Sequence, residues 1–137
     1  MELNSVIIDT NAYSEFKKGN KGAVSILRNV NAIILTPIVI GELMSGFIIG
    51  NRESINRKEF EEFKQSKRVI TVQINDETSE YFALIFKELR DKGKPVPTND
   101  LWIAAIARQI DCPIFTYDKH FQYIKGVKII SGEKQDK

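Results

Sequence analysis

The amino-acid sequence predicts an α/β fold, a central and mainly parallel five-stranded sheet flanked by helices on both faces, and three observations carry that expectation. Short continuous apolar runs, rich in isoleucine and valine, recur along the chain as they do in strands covered on both sides. Between them lie longer segments whose apolar residues return at the three- and four-residue spacing of a helix with one inward face. The two kinds of segment alternate, and alternation is how parallel strands are joined.

The first run, Ser5 to Ile8, carries two β-branched isoleucines and stops abruptly at Asp9, which suits a buried strand. Polar Thr10 and Asn11 follow, and Asn11 is a suitable N-cap for a helix over Ala12 to Lys17. Ala23, Ile26, Leu27 and Val30 form an apolar helical face ending in a turn at Asn31, after which Ala32 to Leu35 reads as the second strand. Thr36 then offers a capping hydroxyl and Pro37 a residue whose missing amide hydrogen is not needed in a first turn, so Glu42 falls inside a helix. A charged helix is expected from Arg52 to Gln65, a strand at Val69 to Val72, and a helix capped by Asn75 or Asp76 with Tyr81, Phe82, Ile85 and Leu89 inward. Gly93 to Pro97 must be a loop. Thr98 or Asn99 caps a helix over Asp100 to Ile110, and strands follow at Ile114 to Tyr117 and Val127 to Ile130.

A chain of 137 residues lies within the usual range for one domain, with residues 1–131 read as that domain and 132–137, polar and aperiodic, as a flexible tail. An apolar content of 42% with 28% charged residues is ordinary for a globular protein. The formal charge of +2 is too small to prove nucleic-acid binding. Acids gathered at one place would nevertheless leave the remaining surface more basic, and Lys17, Lys18, Lys21, Arg52, Arg57 and Lys58 are then candidates for phosphate contacts, although solvated charge is the ordinary reading of each. The single cysteine, Cys112, excludes an internal disulfide and reads as a buried, inert thiol. The first eight residues lack a basic segment followed by a long apolar core, so a cytoplasmic protein is expected. Ala32 to Gly50 is almost long enough and uncharged enough to span a membrane, but Pro37, Glu42 and three glycines interrupt it. A carboxylate at mid-membrane costs about 3 kcal/mol, and the membrane reading is rejected.

Four acids stand out on this outline. Asp9 and Asp118 each follow the end of a strand, while Glu42 and Asp100 lie early in helices. In an open parallel sheet, the carboxyl ends of strands and the amino ends of the following helices share one edge, so all four can converge there. Each has an ordinary alternative: Asp9 as a turn or cap, Asp118 as a turn residue, Asp100 as a first-turn charge facing the helix dipole. Glu42 is less easily dismissed, because Ile38, Val39 and Gly46 around it suggest a buried face and no basic residue offers itself as partner. Converging carboxylates repel one another unless they protonate or bind a cation. All-oxygen ligation suits Mg2+ or Mn2+ rather than Zn2+, and such ions promote phosphodiester hydrolysis.

The local motifs are more specific. Ile8-Asp9-Thr10-Asn11, Thr36-Pro37-Ile38-Val39-Ile40-Gly41-Glu42-Leu43, Asn99-Asp100-Leu101-Trp102-Ile103-Ala104-Ala105 and Phe115-Thr116-Tyr117-Asp118-Lys119-His120-Phe121 resemble, in order and spacing, the PIN-domain nucleases, most closely the VapC-type toxins of toxin–antitoxin pairs. The resemblance covers nearly the whole chain. It implies a PIN-like three-layer sandwich and a Mg2+- or Mn2+-dependent endoribonuclease, usually a homodimer, held inactive by a cognate antitoxin at the acidic groove. The family's four acidic positions match Asp9, Glu42, Asp100 and Asp118, and Asn11 and Thr116 resemble its polar supporting residues. Thr116, two residues before Asp118 and on the same strand face, is placed to orient a carboxylate or a water.

His120 departs from the family's habit of an acidic or polar residue there, and reads as an exposed side chain rather than a proton-transfer group. Trp102 reads as core rather than a base-stacking platform. Phe47, Ile48 and Ile49, with Phe60 and Phe63 in the next helix, fit an antitoxin or dimer groove as well as they fit plain core. Three rival functions share parts of this pattern. A phosphotransferase of the haloacid dehalogenase type needs a second aspartate where this chain has Asn11; a catalytically silent metal- or protein-binding module gains nothing from burying Glu42; and a housekeeping RNA-processing nuclease shares the same chemistry.

Overall fold

The computed structural model describes residues 4–132. Five strands, β1 (Ser5–Ile8), β2 (Ala32–Leu35), β3 (Val69–Thr71), β4 (Ile114–Thr116) and β5 (Ile129–Ser131), form one sheet in the order β3-β2-β1-β4-β5. Every pairing is parallel. The connections are helical: α1 (Thr10–Lys17) and α2 (Lys21–Asn29), then α3 (Pro37–Ile49) and α4 (Glu53–Lys64), then α5 (Asp76–Lys92) and α6 (Thr98–Ile110). The chain steps outward from β1 through β2 to β3 and then crosses back to β4. Right-handed connections therefore put the first four helices and the last two on opposite faces.

Two-sided coverage is why the strands are continuously apolar. Val6, Ile7 and Ile8 of the central strand are wholly buried although successive side chains point to opposite faces. Truncating Ile7 to alanine in such a place costs about 2–5 kcal/mol. On α6, Leu101, Ile103, Ala104, Ala105, Ile106 and Ala107 are all buried. Cys112 is buried as expected, and burial pushes its thiol up from the ordinary value. Among the described residues no helix is long and apolar enough to cross a membrane.

The expected elements are present, with differences at their ends. Asn11 does not cap α1. The chain leaves β1 directly into the helix, and Asp9, still extended, accepts a hydrogen bond from the Ala12 amide at 2.9 Å, which makes Asp9 the cap and leaves Asn11 exposed inside the first turn. α1 and α2 are separate helices, divided at Gly19, whose φ of +83° an L-residue adopts only with strain, and α2 is capped by Asn20. Thr36 caps α3 as expected, accepting from the Val39 amide at 3.3 Å with Pro37 in the first turn. For α6 the boundary residue is Pro97, so Thr98 and Asn99 are already helical. Asp118 begins a 3-10 helix over Lys119–Tyr123 that the sequence pattern does not announce. β5 starts two residues later than expected, at Ile129. Of the tail expected at 132–137, residues 133–137 lie outside the described residues, while the Gly132 amide donates to the Thr116 carbonyl at 2.8 Å.

Candidate active site

The sheet order turns back on itself between β1 and β4, and the crevice beyond the carboxyl ends of strands at such a point is where open α/β sheets bind ligands. Ile8 is paired with Phe115, so the next position along each strand brings Asp9 beside Thr116. The Thr116 hydroxyl, itself buried, donates to Oδ2 of Asp9 in a very short hydrogen bond and accepts from the Asp118 amide at 2.9 Å. One hydroxyl thus ties together the acids that end two neighbouring strands.

Glu42 and Asp100 arrive from helices. Glu42 stands in the second turn of α3, and its two oxygens accept from the Thr10 hydroxyl at 2.8 Å and the Asn99 amide at 3.2 Å. It is half-buried rather than buried, contrary to the expectation from its apolar neighbours, because its end of the helix opens onto the crevice. Its partners are neutral donors, one from α1 and one from α6. Asp100 lies in the first turn of α6, where a carboxylate is favoured by the helix dipole. Its outer oxygen is 3.3 Å from Nδ1 of His120, and the same nitrogen is 3.0 Å from Asp118.

The electrostatics bind the four into one group. Burial raises the Asp9 carboxyl, the Thr116 and Ala12 hydrogen bonds oppose that, and the charges of Asp118 and Glu42 raise it further. Asp100 is pushed up to about 6 by burial and by the charge of Asp118, against the lowering effect of His120, with Asp9 adding to the rise. Among the described residues no lysine or arginine forms an ion pair with any of the four. A cluster that raises its own members' proton affinity, with no fixed cation beside it, has the electrostatics of a cation site. Ligand atoms of Asp100, Asp118 and His120 lie within 4.8 Å of one another, close enough to share one ion. Carboxylate donors dominate, and they suit hard divalent cations of the Mg2+ and Mn2+ kind.

Of the residues singled out in the sequence, Asp9, Glu42, Asp100, Asp118 and Thr116 are gathered here. Asn11 is exposed in the first turn of α1 and makes no hydrogen bond to the four acids among the described residues. His120 is exposed as expected, but its ring is turned onto two of the acids. Thr10 and Asn99 were not marked as candidates. Both stand next to a marked acid, Asp9 and Asp100, and that adjacency at the start of a helix was the available signal. Trp102 is only half-buried, stacked on Phe82 with ring centroids 4.2 Å apart. Lys17, Lys18 and Arg52 line a separate cleft of about 320 Å³ with Ser14 and Asn56, one helical turn beyond Thr10. Lys17 and Lys18 are there paired with Glu59 at 3.2 Å and Glu15 at 3.3 Å.

Comparison with known proteins agrees with this fold. The family model for the PIN domain matches residues 6–127. Ribonuclease VapC4 of Mycobacterium tuberculosis is 28% identical over 94 residues, 69% of this chain and 72% of that protein. Ribonuclease VapC5 of the same organism is 22% identical over 120 residues, 88% of this chain and 87% of that protein. The fold superposes on VapBC2 from Rickettsia felis, bound to a DNA fragment from its promoter, with a TM-score of 0.82 at 21% identity over 93% of this chain and 98% of that one. VapBC-1 from nontypeable Haemophilus influenzae gives a TM-score of 0.80 at 21% identity over 93% and 97% of the two chains.

Proposed function

The chain belongs to the PIN-domain family, and from that membership we propose that it is a Mg2+- or Mn2+-dependent endoribonuclease, the toxin of a toxin–antitoxin pair, with Asp9, Glu42, Asp100 and Asp118 as its catalytic and metal-holding residues. The observation that carries the reading is the convergence of these four carboxylates at the β1–β4 crevice, where among the described residues no lysine or arginine forms an ion pair with them. Such a surface repels the phosphates of RNA until a cation is bound.

When bound, the divalent ion polarises a phosphate oxygen and acidifies a water molecule. The chain's own residues do the remaining work. Thr116 fixes the direction of the Asp9 carboxylate and, through the Asp118 amide, the start of the 3-10 turn that presents Asp118. Thr10 and Asn99 hold Glu42 from two sides, so its oxygens keep one orientation without loss of charge. The exposed Asn11 amide, two residues beyond Asp9, is open to a substrate phosphate, and Arg52 offers positive charge in the separate cleft where Lys17 and Lys18 are paired with Glu59 and Glu15.

The antitoxin has a suitable surface. Ile48, Ile49 and Ile55 are 58%, 86% and 50% exposed where α3 passes into α4, while Phe60 behind them is buried and packs on Phe47. Exposed isoleucines grouped at one helix junction mark a protein-binding surface, and the reading assigns it to a cognate antitoxin, with a homodimer as the assembly and the cytoplasm, where the RNA is, as the place of action. VapBC complexes among the structural relatives support a toxin over a housekeeping nuclease. A short neighbouring reading frame for a DNA-binding antitoxin would separate the two.

The test is cleavage of a labelled structured RNA by purified, antitoxin-free protein in Mg2+ or Mn2+, beside EDTA and the Asp9→Asn variant. Cleavage that disappears in both controls supports the reading. A folded protein that neither cleaves RNA nor binds either ion contradicts it and favours the silent module.

A further inference from the structure

Resting on the metal-site reading above, we infer that His120 supplies a nitrogen ligand to the cation shared by Asp100 and Asp118, which biases the site toward Mn2+ over Mg2+. The position of the ring is set by the backbone. The Asp118 carboxylate accepts from the His120 amide at 2.9 Å, which closes the first turn of the 3-10 helix and folds the side chain back over the crevice. Nδ1 then lies 3.0 Å from an Asp118 oxygen and 3.3 Å from an Asp100 oxygen. Around an octahedral ion with bonds of about 2.1 Å, neighbouring ligand atoms sit about 3 Å apart. Nδ1 has that spacing to both carboxylate oxygens, all three donor atoms lie within 4.8 Å of one another, and half of the imidazole faces solvent, from which an ion enters.

The same contacts fit an imidazolium clamped between two carboxylates, and the two arrangements predict opposite effects of removing the ring. A clamp competes with the metal, so its loss tightens binding. A ligand strengthens binding, and selectively, because imidazole suits Mn2+ while Mg2+ prefers oxygen donors and keeps its waters. Asp9 and Glu42 are held by neutral donors in either case.

His120 is the only histidine in the chain, so a nitrogen signal from an imidazole can come from nowhere else. The experiment is calorimetric titration of Mg2+ and Mn2+, separately, into metal-free wild type and His120→Gln at one pH near 8, with nitrogen-coupled electron spin echo spectra of the Mn2+-loaded wild type. The expected result is a histidine nitrogen coupling in wild type, and a fall in the Mn2+:Mg2+ affinity ratio of roughly tenfold or more in the variant, at least what loss of a supporting residue costs. An unchanged ratio, tighter binding in the variant, or a Mn2+ spectrum without the coupling overturns the inference while leaving the metal site in place. A wild type that binds neither ion overturns both. If the variant does not fold, the wild-type spectrum decides alone.

Discussion

Asp9 and Glu42 are held by neutral donors, the Thr116 hydroxyl and the Ala12 amide for one, the Thr10 hydroxyl and the Asn99 amide for the other, whereas Asp100 and Asp118 share a single imidazole. The two halves of the crevice solve one problem differently. Neutral donors fix where a carboxylate points and leave its charge to repel the others, so Asp9 stays raised despite two hydrogen bonds. An imidazole can give a proton or a lone pair, so the second half can adapt its bonding to an arriving ion. Orientation is built into the first half and adjustability into the second.

The heaviest blow to that division is removal of a charge. Asp9→Asn keeps the shape and the Ala12 hydrogen bond, so the fold persists, yet RNA cleavage is expected to fall by more than the roughly 10–100-fold that supporting residues are worth. Asp118→Asn should do the same, and circular dichroism with a rate assay checks both. A variant of either that retains wild-type rates removes that acid from the site.

Loss of the hydroxyl between the strands comes next. Thr116→Val leaves the buried Asp9 oxygen without its donor and the Asp118 amide without its acceptor. We expect about 10–100-fold weaker metal binding and cleavage, together with about 1–3 kcal/mol of stability lost in denaturant unfolding. Asn99→Ala removes the weaker of the two contacts to Glu42, and Thr10 remains, so a loss of roughly tenfold is the most it should cause.

The smallest effect is on stability and depends on pH. Asp100 has its carboxyl raised from 3.8 to about 6 in the fold, so the ionised form is the one the fold disfavours. The penalty is absent below the unfolded value, grows between the two, and is complete above about 6. Asp100→Asn should therefore raise the melting temperature of metal-free protein at pH 8, by roughly 2–8 °C, and leave it unchanged near pH 3.5. Saturating Mn2+ should cancel the gain at pH 8 by stabilising only the wild type. A variant that is equally stabilised at both pH values would mean that Asp100 acts through packing, not charge.

The strands and helices were legible because each is buried in a way that writes itself into residue type. Val6, Ile7 and Ile8 suited a strand covered on both faces, and Thr36-Pro37 suited a helix start, and both are found so. The four acids were legible from their places after strands and early in helices, since topology brings those places to one edge. What the sequence hid was the exit geometry. Whether β1 passes into α1 at Asp9 or two residues later depends on backbone angles, so the cap was expected at Asn11. The 3-10 helix after Asp118 carries too short a pattern to show period, and with it the inward turn of His120 stayed hidden. Glu42 looked buried because its helical neighbours are apolar, but burial there depends on the opposite side of the crevice.

The most direct test of the account is the chemistry of the cut ends. RNA cleaved by the wild type in Mn2+ should carry 5′-phosphate and 3′-hydroxyl termini, as attack by metal-activated water leaves them, and no cuts should appear in EDTA. Cleavage that persists in EDTA, or that ends in 2′,3′-cyclic phosphates from attack by the ribose hydroxyl, would contradict a four-carboxylate metal site as the seat of the reaction.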